Sequence, residues 1–145
     1  MMTVEQLLNT KGREVATIEP DATVAMAAHR LRARRVGALV VSRGGGVIAG
    51  IISERDIVRG LAEHGRDLLD RRVSDLMTRS VTTCSPSDSV RDLMAVMTQR
   101  RIRHLPVASE RRLCGIVSIG DVVKNRLEEM QLETGVLRDA YLAVH

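Results

Sequence analysis

Apolar residues recur along this chain with two different spacings, and the pair of spacings comes round twice. Val24, Ala27, Ala28 and Leu31 stand at i, i+3, i+4 and i+7, one face of a helix. Val90, Leu93, Met94 and Met97 repeat that stripe in the second half. Each stripe follows a polar segment opened by Pro20 or Pro86, so Thr23 and Ser89 are expected as N-caps. Arg34-Arg35 and Arg100-Arg101 stand where these helices should end, and cations there suit the helix dipole. The aliphatic runs "VGALVVS" and "IRHLPVA" predict buried strands, and the turns "RGGG" and "SERR" lead to second strands within "VIAGIIS" and "LCGIVS". Helices starting near Glu54 and Ile119 close the two units.

The two halves are copies. When Val15 is laid on Val81, Thr17 meets Thr83, Pro20 meets Pro86, Val24 meets Val90 and Leu39 meets Leu105. After one residue lost in the turn, Gly50, Ile51, Ser53, Asp56 and Val58 meet Gly115, Ile116, Ser118, Asp121 and Val123. The element order predicts a mixed α/β (α+β) fold of two β-α-β-β-α repeats, at 15–64 and 81–127. A helical segment at 1–14, a linker at 65–80 with a short helix around Val73 to Met77, and a helical tail at 128–145 complete the chain. One such unit cannot cover its own sheet face, so the copies are expected to pack together and share a core.

Composition narrows the chemistry. The chain has 145 residues, 44% hydrophobic and 28% charged, as in ordinary globular proteins. No apolar run reaches the roughly 20 residues of a membrane span, and the N-terminus does not read as a signal peptide. A cytoplasmic protein is expected, with Cys84 and Cys114 as free thiols and no metal site. The net charge of +4 raises nucleic acid as a partner. Tyr141 is the single aromatic residue, however, so bases would find no stacking platform. Abundant arginine suits small phosphorylated ligands better.

The duplicated phrases "GIISERD" and "GIVSIGD" admit two readings. Ser-x-x-Asp is a capping box in which the serine starts a helix and the acid sits at its positive end. An ionised aspartate can equally accept from two neighbouring ribose hydroxyls, while first-turn amides attract phosphate. One position can do both.

The ordered, duplicated set resembles the CBS domain, named after cystathionine β-synthase, in its tandem arrangement, the Bateman module. The likeness spans about Val15 to Arg126 and rests on the paired phrases, "RRIRHLPV", the openings at Pro20 and Pro86, and "VSDLMTRSVTTCSPSDSV". It implies pseudo-two-fold symmetry and two clefts for adenine ligands: AMP first, then ADP, ATP, NAD(H) or S-adenosylmethionine. Carried over, Asp56 and Asp121 would hold ribose, with Ser53 and Ser118 near ribose or phosphate. Thr17 and Thr83 would lie beside the adenine, and Arg103 and His104 would reach phosphate. Gly120 would let a ligand approach the first helical turn.

The bland alternatives are a partly buried strand histidine at His104 and plain strand threonines at Thr17 and Thr83. The first repeat carries Gly37 and Ala38 where the second has Arg103 and His104. The cleft beside "GIVSIGD" is therefore expected to prefer a phosphate-bearing nucleotide such as AMP, and the cleft beside "GIISERD" to be weaker or to admit NAD(H). No catalytic constellation is evident. The expectation is a regulatory sensor that is not an enzyme, forming a homodimer and signalling by shape or self-association to an unidentified effector protein. A scaffold with vestigial clefts and a nucleic-acid-binding protein are the alternatives.

Overall fold

The computed structural model describes residues 2–144. The first repeat contains β1 (Thr17–Ile18), α1 (Val24–Arg34), β2 (Ala38–Val41), β3 (Gly50–Ser53) and α2 (Glu54–His64). The second contains α3 (Val90–Arg100), β4 (His104–Ser109), β5 (Arg112–Ser118) and α4 (Ile119–Val144). An N-terminal helix, αN (Val4–Lys11), precedes them; a 3-10 turn (Gly65–Asp70) and a short linker helix, αL (Val73–Leu76), lie between. In the first sheet β1 runs parallel to β2, and β2 pairs antiparallel with β3. In the second, β4 pairs antiparallel with β5, while the expected opening strand shrinks to a single parallel bridge from Cys84 to Val107.

The local chemistry follows the residues that predicted it. Thr23 Oγ1 accepts from the Met26 amide at 3.2 Å and Ser89 Oγ from the Asp92 amide at 3.1 Å, which fixes both helix starts. Val24, Ala27 and Leu31, and again Val90, Leu93 and Met97, are buried. The helices end at Arg34 and Arg100, with Arg35 and Arg101 in the left-handed region at φ 54°. The β4–β5 turn is closed by Glu110 and Arg111 with positive φ, the backbone twist that two-residue hairpins favour.

Packing departs from the expectation of one shared core. Each repeat has its own, and each is completed by a helix that precedes the other repeat. Val4, Leu7 and Leu8 of αN enter the second core beside Val90, Leu105 and Val117. Val73 of αL enters the first core beside Ile18, Leu31 and Ile52. The two helices dock in the same way. Val4 N donates to Asp88 O at 2.8 Å and Val90 N to Met2 O at 3.0 Å. Val73 N donates to Ala22 O and Val24 N to Arg71 O, both at 2.8 Å. The chain thus crosses between repeats twice, and the helices tie the halves together.

Candidate functional site

Both duplicated phrases are capping boxes. Asp56 Oδ2 accepts from the Ser53 amide at 2.9 Å, and Ser53 Oγ accepts from the Asp56 amide at 3.3 Å. Asp121 Oδ2 accepts from the Ser118 amide at 2.9 Å, and Ser118 Oγ from the Asp121 amide at 3.2 Å. The helix-start reading therefore holds at both places, and it leaves each Oδ1 without a hydrogen bond among the described residues.

The surroundings of the two boxes differ. Ser53 and Asp56 face a cavity of about 230 Å³ between the repeats. Its opposite wall is the entry to the second repeat, Ser80 to Thr82, and the approach to β4, Arg101 to His104. Arg55, Arg59, Arg101 and Arg103 line it against only Glu54 and Asp56, so its field is positive. Arg55 is held by the Arg101 carbonyl at 3.2 Å. Arg59 and Arg103 form no ion pair among the described residues.

This grouping corrects the expected pairing of residues with clefts. Arg103 and His104 line the cavity that "GIISERD" faces, while the backbone of both stays paired to "GIVSIGD" through Ser118 and Ile119. The repeats face each other, so the strand entry of one copy meets the capped helix of the other. Gly37 makes room for this arrangement. A Cβ at Gly37 would lie 3.1 Å from the His104 imidazole, so the space left in the first repeat is filled by the ring from the second. Burial, with help from the Arg103 and Lys11 charges, pulls His104 below its usual range against the opposing pull of Glu54 and Asp121. At neutral pH the ring is an uncharged donor and acceptor.

Asp121 is already engaged. Lys11, in the last turn of αN, donates to its Oδ2 at 2.5 Å and to the Ile116 carbonyl at 2.8 Å. Burial raises the carboxyl's pKa, but the Lys11 bond, the Ser118 amide and the Lys11 charge outweigh that and hold it below the usual range. Gly120 leaves open space, since a Cβ there would meet only Ser118 Oγ at 3.6 Å.

The remaining expected positions are not brought together with these. Thr17 lies in a separate depression with Arg30 and Arg43, and exposed Thr83 lies outside the cavity that Thr82 and Val81 line. Sequence reasoning passed over Arg55, Arg59 and Arg101. The first two stand one helical turn apart beside Asp56, a spacing that could have revealed them. The helix dipole accounts for an arginine at 101, but its left-handed cap conformation also places it at the cavity wall.

No group of three or more His, Cys, Asp or Glu side chains poised for a metal, and no helix long and apolar enough to cross a membrane, occurs among the described residues.

Known proteins share this architecture. The CBS domain family matches residues 4–63 and 73–128. The mitochondrial CBS domain-containing protein CBSX3 of Arabidopsis thaliana is 34% identical over 151 residues, covering 96% of this chain and 73% of that protein. The crystal structure of the CBS-domain containing protein ATU1752 from Agrobacterium tumefaciens matches with a TM-score of 0.84 at 45% identity, over 86% of this chain and 99% of that one. The CBS domain pair of protein MJ0100, in complex with 5-methylthioadenosine and S-adenosyl-L-methionine, matches with a TM-score of 0.79. At 24% identity, over 89% of this chain and 98% of that one, this last likeness speaks for the fold alone. Two helix-capped repeats, each finished by a helix from outside it and each matching the same family, leave one conclusion: the chain belongs to the CBS domain family.

Proposed function

We propose that this chain is a non-catalytic regulatory module that binds an adenine nucleotide in the cavity beside Ser53 and Asp56. The observation that carries the reading is the meeting, in one cavity, of a carboxylate with a spare oxygen, a neutral histidine and four arginines. Asp56 Oδ1 accepts from the ribose hydroxyls, with Ser53 beside it. Arg103, with Arg55, Arg59 and Arg101, takes the phosphates, and His104 hydrogen-bonds the same end. Ile51 and Val81 offer apolar surface for the base, in place of an aromatic partner. The arginines favour AMP, ADP, ATP or NAD(H) over S-adenosylmethionine, whose sulfonium carries positive charge. The second cleft, with Ser118, Gly120 and Asp121, binds more weakly because the Lys11 ammonium already neutralises the Asp121 carboxylate and crowds it. Ligand occupancy is reported through self-association to an effector protein, and the free thiols suit a reducing, cytoplasmic setting.

Mass spectrometry of small molecules released from protein purified without added nucleotide tests this reading. A phosphorylated adenine compound is expected at close to one per chain. Its absence, together with no calorimetric response to AMP, ATP or NADH, would refute it.

A further inference from the structure

The closing helix of the second repeat does more than close it. α4 is 26 residues long, about 39 Å at helical rise. Its first turns dock on the body through Val122 and Asn125, which are buried. From Thr134 to Ala143 every residue except Gly135 is exposed. Along this helix Val123, Leu127, Met130, Thr134, Leu137 and Tyr141 alternate in steps of four and three. That is the spacing of a coiled-coil seam. Five of them are large and exposed: Val123 47%, Leu127 53%, Met130 48%, Leu137 72% and Tyr141 62%. The stripe lies roughly 130° round the helix from the face of Val122 and Asn125, so docking on the body leaves it facing outward.

The flanking charges say what covers it. In a parallel pair in register, the residues just before Leu127 and Thr134 each face the residue five further on in the other helix. Glu133 then meets Arg138 of the second copy on both sides of the seam, and Arg126 meets Gln131 without conflict. Arg126 is meanwhile held within its own helix by Glu129 at 3.4 Å. Fully overlapped antiparallel pairing would set Glu133 against Glu133 and Lys124 against Arg138. Like charges count against that arrangement.

We propose that α4 pairs with α4 of a second copy as a parallel two-stranded coiled coil along Val123, Leu127, Met130, Thr134 and Leu137, with Glu133 facing Arg138 across each flank. This deepens the self-association part of the proposed function and rests on that part alone, independently of any ligand. α4 begins directly after Ser118, whose strand partner is His104, and its first amide donates to the Arg103 carbonyl at 2.8 Å. The wall of the nucleotide cavity and the seam therefore belong to connected elements.

Sedimentation velocity on the full chain tests the pairing. Leu137 is exposed in the single chain, so Leu137→Glu should leave circular dichroism unchanged while weakening the dimer by about a hundredfold or more. Glu133→Arg and Arg138→Glu should each weaken it by about tenfold, and an equimolar mixture of the two should recover wild-type affinity. Leu137→Cys and Met130→Cys should each cross-link to themselves under mild oxidation, as parallel register requires. A dimer that survives Leu137→Glu and yields neither cross-link would overturn the proposal and move self-association to another face. A wild-type chain that stays monomeric at about 100 μM would overturn both this pairing and the self-association reading.

Discussion

Replacing Leu8 by alanine asks whether αN is part of the second repeat's core. Leu8 is fully buried, and both of its methyl groups lie 2.8 Å from where a Cβ at Gly115 would stand. The substitution removes three carbons, worth about 2.4 kcal/mol at roughly 0.8 per buried methylene. The Gly115 backbone has no side chain to lean into the vacated space, so a cavity cost adds to this, for a total of about 3–4 kcal/mol. At about 2.1 cal/mol/K of unfolding entropy per residue, a chain of 145 residues should lose about 10–13 °C in Tm. Urea unfolding followed by circular dichroism should show a lower midpoint with an unchanged slope. A loss under about 1 kcal/mol, the scale of an exposed helix position, would mean that αN is not docked and that the crossed exchange of helices is wrong.

Three further outcomes follow from the same geometry. Gly37→Val should push the His104 ring aside, lowering stability by about 1–3 kcal/mol and weakening nucleotide binding in the cavity. Unchanged calorimetric affinity would show that the ring does not border the ligand. Acidification should destabilise the protein in two ranges. His104 is held below its ordinary 6.5, so the unfolded chain binds a proton first and stability falls as pH drops below that value. Asp121 is held below 3.8, so its contribution, present above that value, is lost as pH falls through its lower folded value. Lys11→Met should remove much of the second loss and trim the first only slightly, because burial is the main cause at His104; identical pH profiles in urea melts would contradict the role of Lys11. Burial, then Asp88 and Cys114, push the Cys84 thiol up to about 12, so it should resist Ellman's reagent until the protein unfolds. Rapid labelling of Cys84 in the native state would contradict its burial.

The local elements were legible because they are written in local terms. Stripes, caps and the duplicated Ser-x-x-Asp depend on residues within a few positions of one another, and each forms where its pattern stands. What crosses between the halves was not legible. Nothing near Val4 or Leu8 says that they join a core built from Val90 and Val117, since that depends on how the chain crosses between repeats. The same crossing misled the site. Arg103 and His104 are close in sequence to "GIVSIGD", and His104 pairs across the strands with Ser118. The ring nevertheless packs against Gly37, so it borders the cavity of the other capping box. The lone glycine in "RRVGALVV" was the readable trace, once understood as space for a side chain from elsewhere. Lys11 left no trace, because its partner Asp121 lies on the far side of the chain crossing.

The central claim is that nucleotide binds beside Asp56 and that Asp121 is held by Lys11. Calorimetric titration of AMP and ATP into wild type, Asp56→Ala and Asp121→Ala measures it directly. Loss of a ribose-binding carboxylate should cost about 1.5–3 kcal/mol, roughly ten- to a hundredfold in affinity. Asp56→Ala should show that loss at the tight site, with Asp121→Ala close to wild type there. Equal losses from both substitutions, or loss only from Asp121→Ala, would contradict it.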